Sequence, residues 1–140
     1  MLRKVVVLAL LIAVVMATFP TTGVFAKSPV YDQLEKKWEE LGNGYKTQMT
    51  NHEKTHKLVD NYLATHKKAT TAQKNELDKH LTICNSSLDQ AKAIIDKHAG
   101  FDAKGKVTDL AVAKKTVSQL AELLIRHAAS VKNIKEHAAQ

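Results

Sequence analysis

Apolar residues recur at intervals of three and four along most of the chain, and this spacing constrains the fold more than any other feature. The clearest run lies near the C-terminal end, at Leu110, Ala113, Val117, Leu120, Leu124, His127, Val131, Ile134 and Ala138. Residues spaced in this way line one face of an α-helix, and a sustained heptad is typical of bundles and coiled coils. No segment alternates apolar and polar residues for long enough to indicate a strand. The sequence therefore predicts an all-α protein.

The first helix is expected to begin at Ser28 and Pro29, because serine caps free backbone amides and proline is tolerated in the first helical turn. Its inner face continues at heptad spacing to Ala69. The segment Gly42–Gly44 interrupts this face, and two glycines in a helix cost about 2 kcal/mol relative to alanine. We therefore expect a kink or a break there, and a break would give four helices in total.

The second helix is expected to begin at Thr70 or Thr71, because Thr70 and Gln73 have the spacing of a capping box. It is expected to end at Gly100, since glycine readily takes the left-handed conformation that terminates a helix. The third helix should then run from about Val107 to the end of the chain.

Short connections between the three segments predict their arrangement, because they force sequential helices to lie side by side in opposite directions. We expect an elongated antiparallel bundle of three long helices, with Phe101 in the second connection folding back onto it. The chain has only 5 glycines and 2 prolines, too few for the glycine-rich phosphate loops of a Rossmann fold or a P-loop enzyme.

The N-terminal segment has the pattern of a secretory signal peptide. Basic Met1–Lys4 precedes an apolar run over 5–17, and the small residue Ala26 follows at the expected cleavage point. The apolar run is shorter than the roughly 20 residues that a helix needs to cross a bilayer. We therefore expect a signal peptide over 1–26, a bundle domain over 27–140 with no membrane span, and export to the periplasm or the secreted space.

The formal charge of +7 comes from 21 basic and 14 acidic residues that are interleaved, as in Leu34–Glu40. Interleaved charges are typical of solvated helix faces, so we expect no nucleic-acid binding. The expected partner is a protein or a second copy, bound through helix faces, with weak binding to an anionic surface as the alternative. Tyr31, Trp38 and Tyr45 form an aromatic strip that packs either into the core or against such a partner.

Seven histidines are the main chemical signal in the sequence. Folding the chain at its two turns brings four donor residues into neighbouring layers of the bundle: His56, His80, Cys84 and His127. Imidazole and thiolate suit Zn, Cu or Ni, and two facing imidazoles can also hold a non-covalent haem. The competing interpretation is that polar residues on the inner faces only fix the register of the helices.

The segment His52–His56 reads His-Glu-x-x-His, the pattern of zinc proteases, with Glu53 in the position of the general base. His52 and His56 therefore form an alternative metal-binding pair. No strand is predicted that would align a peptide substrate, so we assign no catalytic residues and rank an enzyme third, behind the two binding functions given below.

Cys84 is the only cysteine, so it cannot form a disulfide within the chain. It is a buried thiol, a metal ligand or a bridge to another chain. The sequence favours a non-enzymatic binding or interaction protein of the cell envelope or secreted space. The alternative function is a metal- or haem-binding bundle that uses the inner-face histidines and this cysteine.

Overall fold

A computed structural model of the protein describes residues 28–139. In this part of the chain there are three helices: α1 at Pro29–Thr65, α2 at Thr71–Lys97 and α3 at Leu110–Ala138. The only β-type pairing within these residues is one isolated antiparallel bridge between Phe101 and Val107. The prediction of an all-α bundle of three helices is confirmed. The predicted signal peptide lies outside the described residues.

Helix α1 is continuous over 37 residues, which corresponds to a length of about 55 Å. It begins at the predicted position, with Ser28 at the N-cap and Pro29 as its first residue, but the Ser28 side chain makes no capping hydrogen bond. The expected break at Gly42–Gly44 does not occur. Leu41 is buried next to this segment, and a Leu124 methyl group lies 3.6 Å from where a Cβ on Gly44 would be. Tertiary packing therefore outweighs the low helix propensity of glycine.

Helix α2 begins with the predicted capping box, in which the Thr70 hydroxyl accepts from the Gln73 amide and the Gln73 side chain accepts from the Thr70 amide. The predicted left-handed cap at Gly100 is wrong by two residues, because α2 ends at Lys97 and His98 is the left-handed C-cap. Gly100 has a φ of +84° in the following turn, and a Cβ there would lie 2.4 Å from the Ala113 backbone nitrogen. Glycine is needed at this point for close approach rather than as the helix cap.

Helix α3 begins at Leu110 rather than at Val107, because Asp109 is its N-cap and accepts a hydrogen bond from the Val112 amide at 3.0 Å. Val107 is instead held in the connection by its bridge to Phe101. Helix α3 packs extensively against both α1 and α2, which contact each other less. The last helix is therefore the centre of the bundle.

The larger apolar core lies beside the connection between α2 and α3, and we call it the loop cluster. Its buried members are Val30, Leu34, Leu41, Leu88, Ala91, Phe101, Ala113, Val117, Leu120, Ala121, Leu123 and Leu124. As predicted, Phe101 folds back onto the bundle, where its ring stacks on Trp38 at a centroid distance of 4.6 Å. The aromatic strip therefore contributes Trp38 and Tyr45 to packing. Glu35 fastens the same connection to α1 by accepting from the Val107 amide at 3.2 Å.

A smaller apolar core, which we call the distal cluster, lies toward the other end of the bundle. Its buried members are Val59, Tyr62, Leu77, Cys84, Val131 and Ile134. Between the two clusters, the buried positions of the three helices include polar side chains. None of the helices within residues 28–139 is both long and apolar enough to cross a membrane.

Candidate metal centre

The most deeply buried polar side chains of the bundle include His127, on the central helix α3, which has no exposed surface. Its Nδ1 lies 2.8 Å from Oε1 of Gln48, a buried residue of α1. An amide oxygen can only accept, so the His127 proton lies on Nδ1 and the lone pair on Nε2. Helix α1 therefore fixes the tautomer of a histidine on α3.

The free nitrogen of His127 faces a second histidine, on α1. His127 Nε2 lies 3.2 Å from His52 Nδ1, and the two ring centroids are 5.3 Å apart. His52 Nε2 in turn lies 3.2 Å from His56 Nε2, which is 3.1 Å from the Asn85 side-chain oxygen on α2. A continuous chain of polar contacts thus leads from buried Gln48 to exposed Asn85.

Cys84, on α2, contributes a thiol to the same place. It is fully buried, and its Sγ lies 4.0 Å from the His127 carbonyl oxygen. One donor atom each from His52, Cys84 and His127 lie within 4.8 Å of one another. Each of the three helices therefore supplies one transition-metal ligand type to a single point. A disulfide to another chain, one of the alternatives for Cys84, would require this buried thiol to be exposed.

Burial governs the protonation of all three groups. It lowers the pKa of His127 to about 4, with a smaller contribution from the charge of His52. The pKa of His52 is also lowered, first by burial and then by His56. Burial raises the pKa of the Cys84 thiol to about 11. At neutral pH both rings are therefore neutral, with a lone pair each, and the sulfur carries its proton.

Two of the four predicted ligands, Cys84 and His127, belong to this group, and His56 is one contact removed from it through His52. His80 is elsewhere, beside Glu76 and His137. The structure thus does not bring the four residues to one point. His127 lies level with Cys84, whose Sγ is 4.0 Å from the His127 carbonyl oxygen, whereas His80 lies one turn earlier on α2, beside His137.

The alternative pair His52 and His56 does come together, on one face of α1. Glu53, which would be the base of a zinc protease, is exposed. The ring of His52 turns its other nitrogen inward to His127. The His-Glu-x-x-His motif thus forms part of the polar chain that joins Gln48 to Asn85.

Sequence reasoning did not assign a ligand role to His137 or Glu76, or a supporting role to Gln48. Gln48 had a signal, since it lies at an inner heptad position one turn before His52. Glu76 and His80 had the spacing of four residues that places two side chains on one helix face. His137 follows the last inner isoleucine, Ile134, by three residues.

Comparison with known proteins finds no match: no protein-family model, no curated protein and no solved structure is significantly similar to the chain. A functional assignment for this protein therefore depends on the geometry of its side chains.

Proposed function

We propose that the protein is a non-enzymatic metal-binding bundle that holds one transition-metal ion between His52, Cys84 and His127. The observation that carries this proposal is the convergence of two imidazoles and a thiol, one from each helix, within 4.8 Å. Each of these groups is a common ligand of Zn or Cu, and bundle interiors provide such sites from facing helices.

The separation of the two imidazoles supports this assignment. Two nitrogens bound at 2.0 to 2.1 Å to a tetrahedral ion are about 3.3 Å apart. His52 Nδ1 and His127 Nε2 are 3.2 Å apart, so their separation already matches that of two ligands of one ion. Gln48 already orients His127 from behind by accepting from Nδ1, as supporting residues do in metal sites.

The ligand set favours some metals over others. A thiolate with two imidazoles suits Zn or Cu(I), with Ni as a weaker alternative, and disfavours Mg and Ca, which prefer oxygen. A haem between the same histidines is disfavoured, because axial ligands lie on opposite sides of the macrocycle. His52 and His127 are in direct contact, and a haem would have to separate α1 from α3.

Metal binding at this point must displace a proton from Cys84, because a thiolate is the ligand and the thiol has a pKa of about 11. Affinity should therefore rise with pH. His56 and Asn85 lie where the polar chain reaches the surface, which makes them the point at which an ion would enter or leave. A receiving protein or a second copy would contact the bundle there. With the predicted signal peptide, we place this function in the periplasm or the secreted space.

The proposal is tested by titrating the purified untagged chain with Co²⁺, which reports its ligands through its visible and near-ultraviolet spectrum. We expect a thiolate-to-cobalt charge-transfer band in the wild type, its loss in Cys84→Ser and its weakening in His52→Ala and His127→Ala. His98→Ala is the matched control, because His98 is exposed at the far end of α2 and should leave the band unchanged.

A wild-type spectrum without the charge-transfer band would contradict the proposal. A cobalt spectrum that Cys84→Ser leaves unchanged but His56→Ala removes would instead locate the ion at the outer pair, His52 and His56. Circular dichroism of each variant checks that helix content is retained, so that a lost band reports a lost ligand.

A further inference from the structure

We propose a second metal site at the distal end of the bundle, formed by Glu76 and His80 of α2 and His137 of α3. One donor atom from each of these residues lies within 4.8 Å of the others. His80 Nε2 is 3.7 Å from a Glu76 carboxylate oxygen, and the rings of His80 and His137 are 6.0 Å apart. None of the three residues belongs to the buried group of His52, Cys84 and His127, so this site does not depend on the proposed function.

The burial of His80 fixes the direction of its ring. Its side chain is only 13% exposed, and Nε2 is the ring nitrogen that lies 3.7 Å from a Glu76 carboxylate oxygen. Its other nitrogen, Nδ1, is fully buried and has no hydrogen-bond partner among the described residues. Nε2 is therefore the atom that this ring offers to an external ligand.

The surroundings leave room for that ligand. Glu76 and His137 line a pocket of about 200 Å³ whose other walls are Tyr62, Ala72, Gln73 and Leu77. Glu76 is exposed, so the pocket is open to solvent, and His80, which does not line it, lies 3.7 Å from the Glu76 carboxylate. Three protein ligands with room for water or a small anion are typical of sites whose metal keeps an exchangeable position.

The chemistry of this second site differs from that of the buried centre. Two imidazoles and a carboxylate suit divalent Zn, Ni or Co, and the set lacks the thiolate that favours Cu(I). Because the distal site is open, we expect its ion to exchange faster than the buried one. The bundle would then hold two ions that differ in their accessibility to solvent.

Zinc stoichiometry of the full chain tests this inference, measured by equilibrium dialysis followed by elemental analysis. We expect about two equivalents in the wild type and a loss of about one in His137→Ala and in Glu76→Gln. Two controls match these changes in type and helix: Glu136→Ala next to His137, and Asp78→Asn near Glu76, both at exposed residues that should retain the wild-type value.

The Cys84→Ser variant separates this inference from the proposed function. Suppose that Cys84→Ser binds about one equivalent of zinc and that adding His137→Ala to it abolishes this binding. The distal site is then real, whether or not His52, Cys84 and His127 bind an ion. If His137→Ala and Glu76→Gln both bind as much zinc as their controls, the distal site is refuted. A wild type that binds no zinc would overturn both sites. Both substitutions are close to the surface, so the fold should survive, and circular dichroism verifies this.

Discussion

The loop cluster differs in chemistry from the polar centre, which is the name we give to Gln48, His52, Cys84 and His127. Both lie in the interior of the same three helices. In the loop cluster, leucines of α1 and α3 pack with Phe101 and Trp38, and the buried polar residues Lys37 and Thr116 lie along the same stretch of these helices. A few turns away, the interior positions carry Gln48, His127 and a cysteine thiol. The first region is built to be stable, whereas the second contains groups that cost free energy to bury.

This contrast supports the assignment of the proposed function to the polar region. Leucine at the positions of Gln48 and His127 would extend the loop cluster and would leave no polar group that needs a hydrogen-bond partner. Replacing a buried polar pair by apolar residues is often neutral or stabilising for the fold. Instead, His52 and His127 lie beside a thiol, and Gln48 fixes the tautomer of His127. A single polar residue is enough to fix the register of neighbouring helices, whereas a metal ion needs several ligands that converge on one point.

The largest effect is expected in the loop cluster. Leu124 is 1% exposed on the central helix, so Leu124→Ala should lower the free energy of unfolding by about 2 to 5 kcal/mol through lost burial and an internal cavity. Urea denaturation measures this, with Ile125→Ala, at an exposed neighbour, as the control. A loss below about 0.5 kcal/mol would mean that α3 is not central to the bundle.

The polar centre should respond to pH where the loop cluster does not. The pKa of His127 is lowered from 6.5 to about 4, so the unfolded chain takes up this proton first as the pH falls. Neutral His127 makes its full contribution to the free energy of unfolding above about pH 6.5. This contribution is lost as the pH falls from there through 4, and it amounts to on the order of 3 kcal/mol.

The difference between wild type and His127→Gln isolates this effect, because groups outside the polar centre titrate equally in both. Metal-free protein is unfolded with urea at several pH values between about 7.5 and 4, which span the two pKa values of His127. Toward acid pH the wild type should lose stability relative to His127→Gln. A difference that stays constant over this range would show that the pKa of His127 is not lowered in the native state.

The connection over 98–109 should depend on Glu35, which accepts from the Val107 amide and, at 2.8 Å, from Lys106 Nζ. We expect Glu35→Ala to destabilise the protein by about 1 to 2 kcal/mol, because a partly buried amide loses its acceptor. Exchange of the Val107 amide proton should accelerate as well. Glu39→Ala, at an exposed carboxylate one turn later, should change neither quantity.

The smallest expected effect tests the continuity of α1. Nothing lies within 4 Å of a Cβ built on Gly42, so Gly42→Ala should stabilise the protein by about 0.5 to 1 kcal/mol through higher helix propensity. Gly100→Ala should instead destabilise it, because its φ is positive and Ala113 fills the space. If Gly42→Ala destabilises the protein, the helix is broken there in solution.

Much of the fold could be predicted from the sequence because it follows from local rules. Heptad spacing predicted three helices, and Thr70 with Gln73 predicted the start of α2. The prediction of a break at Gly42–Gly44 was wrong, because helix propensity is a weak effect compared with the packing of Leu41 and Leu124. The helix ends around the second connection depended on the Phe101 bridge, which is a tertiary contact.

The candidate metal centre could be predicted only in part. The sequence shows which residues can bind a metal, and it placed Cys84 and His127 in neighbouring layers of the bundle, where the structure has their donor atoms within 4.8 Å. It could not decide between His52 and His56, or separate His80 from the group. That choice depends on helix rotation and on a longitudinal shift of a few ångströms, and both are set by packing across the whole bundle.

The most direct test of the metal centre is anomalous diffraction at the zinc absorption edge, from crystals of the zinc-loaded chain. We expect an anomalous peak about 2.0 to 2.3 Å from His52 Nδ1, His127 Nε2 and Cys84 Sγ, with Gln48 still accepting from His127 Nδ1. A map without a peak at this point, in which the two histidines remain hydrogen-bonded to each other, would contradict the proposed metal centre.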